Sequence, residues 1–249
     1  MRIIPSEHPL HRRSFLRATS KFATTAALLP ATLLAQPTTE QEQHDGGDDI
    51  STNDRLMREH GILKRVLVIY EEVIRRIDAK EDLAPQTVID SVGIIRKFIE
   101  DYHQKLEEEH VFPLFRKYYG RQDVLKLYAQ KLLDLVDTLH EQHQAGRRVT
   151  DRILSTLKSL KTADDRQKLA RDLRAYIRMY TPHEAREDTV LFPALQVIIS
   201  REDYKALGKR FDEIAHKTFG GDGFDFYLDL VTTFEKRLGI YDLAQFTPK

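Results

Sequence analysis

Residues 103–113 read HQKLEEEHVFP, and residues 183–193 repeat the same framework as HEAREDTVLFP. Each segment has a His, a Glu four positions later and a closing Phe-Pro at identical spacing. Residues i and i+4 lie on the same face of an α-helix, about 6 Å apart along its axis. The repeat therefore indicates a duplicated helical unit that presents one imidazole and one carboxylate together, and both are groups that bind transition metals.

A second repeat precedes each of these segments. Residues 60–66, HGILKRV, align without a gap on residues 143–149, HQAGRRV. The chain is therefore interpreted as two similar helical hairpins, each with a His on its first helix and a His-x-x-x-Glu on its second. The alignment selects His143 over His140 on the third helix. His140 lies on the flank of the apolar stripe, as a hydrogen-bonding neighbour of the site or as an additional ligand.

From Ser51 onwards the apolar residues recur at helical spacing, and no segment alternates as a strand does. Steps of three and four sustained over five turns predict an all-α, antiparallel four-helix bundle. The predicted helices run from near Ser51 to about 79–85, from Pro85 to Tyr119-Gly120, from about Asp123 with a stripe to Leu160, and along a stripe from Leu169 to Ala194. One or two further helices, over roughly 201–218 and 224–238, are expected to cap or flank the bundle.

Composition narrows the possible chemistry. With 249 residues and 41% hydrophobic content, the chain is long enough for one domain with a substantial core. The 39 basic and 39 acidic residues balance, so the chain lacks the excess of positive charge that would predict binding to nucleic acid. Cysteine is absent, which excludes disulfides and thiolate ligands. Any metal must be held by His, carboxylate or Tyr side chains.

The N-terminal region predicts export. Residues 11–17, HRRSFLR, resemble the twin-arginine consensus, and an Ala/Leu/Thr-rich stretch follows up to Ala35. That stretch is too short and too weakly apolar for a transmembrane span, so no membrane insertion is expected. We predict a signal peptide over 1–35, a linker over 36–50, the bundle over 51–200 and a C-terminal helical extension over 201–249. The expected location is the periplasm or another exported compartment.

Each of the four long helices interrupts its apolar stripe with a His. An unpartnered buried polar group costs about 1–3 kcal/mol, whereas a shared metal cluster satisfies several such groups at once. The candidate ligands are His60, His103, Glu107, His143, His183 and Glu187. If both glutamates bridge, each of two metal ions receives two nitrogens and two oxygens. An oxo, hydroxo or water bridge then leaves one position open on each ion.

Ferritin-like di-iron bundles are the main structural alternative. They place the carboxylate before the His, as Glu-x-x-His, and use more carboxylates than His. Here the order is reversed and His dominates. Glu100 and His103 fit Glu-x-x-His literally, but Tyr180 stands where the matching Glu would precede His183. This difference disfavours the ferritin interpretation.

The two motif segments and the helices of His60 and His143 resemble the hemerythrin-like, or HHE cation-binding, family over roughly residues 54–200. The resemblance implies a non-haem di-iron site that binds dioxygen or related small molecules, with the four His as terminal ligands and both Glu as bridges. Manganese, cobalt and zinc also accept these ligands. Oxygen carriers of the family have five His, two of them four apart, and a bridging Asp five residues after the last His. Here His140 and His143 are three apart, and Glu187 and Asp188 are both available, so the ligand pattern departs from that of the reversible oxygen carriers.

Residues beside the predicted ligands have two interpretations each. Glu108, Glu109 and Asp188 are interpreted as surface charge, with contact to a ligating His as the alternative. Tyr180 is a core residue or points at the metals as a hydrogen-bond donor or redox participant. Glu184 either joins the site or acts in a restart of the fourth helix.

Four more residues near the motifs have structural predictions. Pro182 is expected to kink or restart the fourth helix, with Thr181 as the new N-cap and Glu184 at the third position. Gly146 is hypothesised to open a pocket beside the metals. His110 and His216 are interpreted as structural or exposed.

Three functions are compatible with this site. We predict an exported protein that binds dioxygen, peroxide or nitric oxide at a His4Glu2 centre. The alternatives are an oxidoreductase that reduces peroxide or nitric oxide, and a protein that stores or delivers iron.

Overall fold

The computed structural model describes residues 50–118 and 126–248, and in these residues the secondary structure is helical without strands. The predicted all-α fold is confirmed. The predicted signal peptide and the predicted helix boundaries at Tyr119-Gly120 and Asp123 lie outside the described residues. None of the described helices combines the length and apolar character that a membrane crossing requires.

Four long helical rods and two shorter helices make up the described fold. Two of the rods contain π-helical turns, one rod at Ile95–His103 and Glu107–Val111 and the other at Glu187–Leu191. The bounds are α1, Thr52–Asp78; α2, residues 85–118; α3, Lys126–Lys158; α4, residues 163–198; α5, Arg201–Phe219; and α6, Phe224–Leu238. A short 3-10 turn, Leu243–Phe246, follows α6.

The helix starts follow from capping chemistry. The Ser51 hydroxyl accepts a hydrogen bond from the Asp54 N–H at 3.1 Å, which satisfies one of the free donors of the first turn. Pro85 opens α2, where its missing N–H costs nothing. Thr162 and Asp165 form a reciprocal capping box at the start of α4. The predicted starts at Ser51 and Pro85 are confirmed.

The four rods pack in a closed ring in which α1 contacts α2 and α4, and α3 contacts α2 and α4. Helix α1 has 27 residues and is therefore about 40 Å long. The connection 79–84 to α2 spans at most about 20 Å, so the two helices must run antiparallel. Apolar stripes meet along the axis of the ring, where each fully buried Leu, Val or Phe contributes about 1.5–3 kcal/mol.

Helices α5 and α6 cover the side of the bundle formed by α1 and α2. Tyr102 of α2 meets Phe219 of α5 edge-on at 4.8 Å between ring centroids, and Phe98 stacks on Tyr227 of α6 at 4.4 Å. The Arg65 Nε donates to Glu235 Oε1 of α6 at 2.8 Å. One face of the bundle is therefore shielded by an additional helical layer.

A π turn follows each His-x-x-x-Glu segment, and the sequence patterns did not predict it. The N–H of Phe112 donates to the carbonyl of Glu107, and the N–H of Phe192 donates to that of Glu187. The Pro after each Phe would clash with the carbonyl four residues earlier in a regular α-helix, and a wider turn relieves this clash. The predicted restart at Pro182 is wrong, because Ala163–Arg186 is one uninterrupted α-helix.

Candidate metal centre

The six predicted ligands lie together inside the bundle, although four helices supply them. Each is at most 3% exposed: His60 from α1, His103 and Glu107 from α2, His143 from α3, and His183 and Glu187 from α4. The imidazoles form two pairs. The Nε2 atoms of His60 and His103 lie 3.0 Å apart, and those of His143 and His183 lie 3.2 Å apart. We call these pairs the first position and the second position.

Each glutamate lies between the two positions. Glu107 Oε2 is 3.6 Å from His103 Nε2 in the first position and 3.5 Å from His143 Nε2 in the second. Glu187 Oε2 is 3.4 Å from His60 Nε2 and 3.3 Å from His183 Nε2. The Oε2 atom of each glutamate therefore lies close to one imidazole of each pair.

The carboxylate oxygens fit a metal ligand role because nothing else in the described structure satisfies them. All four oxygens of Glu107 and Glu187 are buried without a hydrogen-bond partner. Burial and the neighbouring Glu187 raise the pKa of Glu107 well above its usual value. Two buried carboxylates this close together are costly unless cations lie between them. The donor set, imidazole nitrogen and carboxylate oxygen, is the one that iron, manganese, cobalt and zinc accept.

The outward nitrogen of every imidazole has its own acceptor. The four Nδ1 contacts are His60 to Asp188 at 2.7 Å, His103 to Glu59 at 2.8 Å, His143 to Glu108 at 3.0 Å and His183 to Gln142 at 2.8 Å. Since these acceptors are carboxylate or amide oxygens, the proton is assigned to Nδ1. In the neutral form of each ring, the lone pair of Nε2 then faces inward, as metal ligation requires.

The interpretation of Asp188 and Glu108 as surface charge is wrong. Their side chains are 12% and 13% exposed, and each contacts a predicted ligand. A cation holds each of them from outside, with Lys64 Nζ at 3.2 Å from Asp188 and Arg147 Nη1 at 2.8 Å from Glu108. Glu109, in contrast, is exposed.

Glu59 and Gln142 are site residues that the sequence analysis did not identify. Each directly precedes the first His of its hairpin, and this shared position in the repeat was the available signal. Glu59 is completely buried, whereas Gln142 is half-buried.

Protonation differs among the imidazoles, and burial lowers the pKa of His103 as it does that of His143. Burial lowers the pKa of His60, but the Asp188 hydrogen bond and the nearby Glu187 carboxylate outweigh it and raise that pKa to about 10. Burial lowers the pKa of His143 to about 4 despite its hydrogen bond to Glu108. The pKa of Glu108 falls to about 2, because bonds from His143 and Arg147 outweigh its burial.

The Phe of each motif packs on an imidazole of the opposite hairpin. Phe112 stacks on His143, and Phe192 stacks on His60, with 5.6 Å between centroids in both cases. These apolar rings fix the orientation of the imidazoles and keep water from their faces. The Phe positions are therefore part of the site.

Tyr180 lies beside the second position. Its ring meets His183 edge-on at 5.1 Å, and its hydroxyl accepts a hydrogen bond from Gln104 Nε2 at 2.8 Å. A Cβ atom placed on Gly146 would lie 2.1 Å from the Tyr180 hydroxyl. The hypothesis that Gly146 opens a pocket is therefore wrong, since the Tyr180 side chain fills that space.

The remaining candidates stand apart from the two ligand groups. His140 is exposed and belongs to neither group. Glu184 is 1% exposed, and burial raises its pKa to about 7, but it is not a member of either group. His216 is exposed, and His110 is half-buried near Phe211.

Comparison with known proteins gives a family match over part of the chain. The family model described as the hemerythrin HHE cation binding domain matches residues 134–238, which include the second position but not the first. An uncharacterized protein of Mycobacterium tuberculosis (strain ATCC 25618 / H37Rv) and one of Mycobacterium bovis are each 45% identical over 201 residues. These alignments cover 80% of this chain and 74% of each relative. No solved structure matches the chain.

Proposed function

The chain belongs to one family with these mycobacterial proteins and contains a hemerythrin HHE cation-binding domain, and from this premise we propose a specific role. The protein is exported, holds two metal ions at the centre, and binds a small molecule there: dioxygen, peroxide or nitric oxide. Support for export comes from the twin-arginine-like sequence HRRSFLR at residues 11–17.

The pairing of the imidazoles indicates which residues would hold which ion. His60 and His103 would hold one, His143 and His183 would hold the other, and the two glutamates would bridge them. Iron is the metal we propose, because hemerythrin domains typically bind iron and because iron accepts imidazole and carboxylate ligands together. A bound iron pair would supply a change of oxidation state and a coordination position for a small ligand.

The protein's own residues prepare the site before any ligand arrives. Asp188, Glu59 and Glu108 accept the Nδ1 protons of three imidazoles and so fix their orientation. Phe112 and Phe192 shield the rings of His143 and His60 from water.

One observation carries the proposal: four inward Nε2 atoms and four partnerless carboxylate oxygens face one another in a buried cluster. A structural role for these six side chains would require hydrogen bonds to the carboxylates, but the nearest groups are the inward Nε2 atoms at 3.3–3.6 Å, which carry no proton when Nδ1 is the protonated nitrogen. Two cations satisfy all of the groups together.

Elemental analysis of the purified full-length chain tests the metal site. We expect two metal ions per chain, and we expect the Glu107→Ala/Glu187→Ala double variant to lose at least one. Glu109→Ala, on an exposed residue of the same helix, is the matched control and should retain two. A double variant with unchanged metal content would contradict the proposal.

Spectra and turnover assays of the same purified protein distinguish the three candidate functions. A binding protein should give reversible changes in its visible spectrum with dioxygen, nitric oxide or peroxide. Turnover with an added reductant would instead identify an oxidoreductase. A content well above two iron atoms per chain would identify a storage protein.

A further inference from the structure

The two hairpins place equivalent residues around the two positions, with one change of charge. The residue before the first His of each hairpin accepts the Nδ1 proton of the second His of the same hairpin. In the first hairpin this acceptor is Glu59, bonded to His103, and in the second it is Gln142, bonded to His183. A carboxylate thus stands behind one imidazole, and a neutral amide stands behind its counterpart.

Helix α5 covers the side of the bundle on which Glu59 lies. Tyr102 lies 3.4 Å from Glu59, and the same Tyr ring packs against Phe219 of α5. Arg55, on the same side, forms an ion pair with Asp212 of α5. As a result, Glu59 is 0% exposed.

Gln142, in contrast, lines a surface cleft between α3 and α4. The cleft has a volume of about 460 Å³, and its lining includes Thr138, Gln142, Pro182 and His183. Gln142 and His183 therefore line the cleft, and they also belong to the second position, because His183 is one of its imidazoles and Gln142 accepts its Nδ1 proton.

The charges at this cleft favour a small anion. Lys131 and Arg186 line it on α3 and α4, and both are exposed. Asp134 is the acidic residue of the lining, and Gln130 already donates to its carboxylate at 2.8 Å. An excess of positive charge in a concave surface raises the local concentration of anions and their association rate.

We propose that this cleft is the route by which small anions, of the size of azide, nitrite or hydroperoxide, reach the metal centre, and that Gln142 is the positioning residue at its inner end. The inference rests on the proposed metal site. The Gln142 amide holds the His183 ring through its oxygen, and its NH2 group remains a donor for an arriving anion. A carboxylate in the same place, like that of Glu59, would repel the anion.

The test uses the full-length, iron-loaded protein and azide as the probe, with association followed by stopped-flow absorbance. Thr138→Trp fills the cleft from an exposed position, and it should slow azide association at least about tenfold, the scale on which blocked access changes such rates. The iron content per chain should remain that of the wild type. Thr156→Trp makes the same substitution on α3 in a separate groove between α3 and α4, lined in part by Arg152 and Asp172, and should leave the rate unchanged.

Gln142→Glu provides a second, charge-specific measurement. It should slow azide association more than nitric oxide association, because only azide is charged, and added salt should reduce the difference. The access route is overturned if Thr138→Trp binds azide at the wild-type rate, or if both Trp variants are equally slow. Wild-type protein that holds two iron atoms but binds no azide also overturns it while leaving the metal site intact. Protein that holds no metal overturns the proposed function itself.

Discussion

The two hairpins share the same ligand framework, but they differ one turn away from it. Tyr180 of the second hairpin occupies the place of Glu100 in the first, and Gly146 occupies the place of Leu63. Ligands, outward acceptors and stacking Phe rings are otherwise equivalent in position in the two halves. The two halves therefore share the residues that face the centre, whereas the residues one turn away differ.

The diverged residues form different contacts in the two halves. Glu100 accepts a hydrogen bond from Thr150 Oγ1 at 2.6 Å and pairs with Arg96 at 3.0 Å. The Tyr180 hydroxyl, in contrast, lies over Gly146 and accepts a hydrogen bond from Gln104 Nε2. Because a larger residue at 146 would occupy the space of the Tyr180 hydroxyl, these two residues of the second hairpin depend on each other.

The largest expected effect comes from making the second hairpin resemble the first at this point. Gly146→Leu would force the Tyr180 side chain from its place and should cost about 3 kcal/mol, the upper end of the usual range for overpacking a buried site. Urea unfolding should show a correspondingly lower midpoint. Gly61→Ala is the control, because a Cβ there meets no atom within 4 Å, and it should be neutral or stabilising by up to about 1 kcal/mol. Equal stability of Gly146→Leu and the wild type would show that Tyr180 can move freely.

The second expected effect is on pH dependence and distinguishes Glu100 from Tyr180. Burial raises the pKa of Glu100 to about 7 from an ordinary 4.5, although the Thr150 hydrogen bond and the positive charges of Arg96 and Arg147 oppose the rise. Because the folded-state pKa lies above the unfolded value, the contribution of Glu100 to the free energy of unfolding is most favourable below pH 4.5 and becomes less favourable as the pH rises towards 7. Glu100→Gln should remove this loss and gain on the order of 2 kcal/mol at pH 8 over the wild type.

Urea unfolding at pH 4.5 and at pH 8 measures the effect of Glu100→Gln. The variant and the wild type should differ little at the lower pH and more at the higher one. Asp101 also raises the pKa of Glu100. Glu100 in turn adds to the effect of burial in raising the pKa values of Tyr70, Tyr176 and Tyr180, so Tyr180→Phe is the companion variant. An identical pH profile for Glu100→Gln and the wild type would contradict the prediction.

The repeats predicted much of this comparison from sequence. The spacing of His and Glu located the residues that the structure brings together, and the apolar stripes predicted the four rods and both C-terminal helices. The acceptors were missed for a physical reason. A carboxylate next to a ligand, such as Asp188 or Glu108, lies on the flank of its helix, and only the packing of the neighbouring helix decides whether that flank meets water or an imidazole. The contact of Gly146 with Tyr180 likewise depends on how closely α3 and α4 approach.

A third prediction exchanges the residues behind His103 and His183. Glu59→Gln gives both halves a neutral acceptor and should weaken iron binding about tenfold, since a carboxylate behind a ligating imidazole strengthens its basicity. Competition with a chelator during reconstitution measures the effect. The double variant Glu59→Gln/Gln142→Glu restores one carboxylate and should recover part of the affinity. Failure of Glu59→Gln to change affinity would indicate that the hydrogen bond matters and its charge does not.

The smallest expected difference concerns the cations outside Asp188 and Glu108. Lys64 is half exposed and pairs with Asp188 at 3.2 Å, so Lys64→Ala should cost about 0.3 kcal/mol of unfolding free energy. Arg147 is 19% exposed, and it donates both to Glu108 and, at 3.2 Å, to the carbonyl of Glu100. Its removal leaves a half-buried carboxylate and a carbonyl without that partner, so Arg147→Ala should cost about 1–2 kcal/mol.

The contrast between the two variants should persist at high salt, because screening weakens the exposed Lys64 pair more than the shielded Arg147 contacts. Equal losses for the two variants would mean that both cations act only as surface charges, and that the hairpins do not differ at this layer.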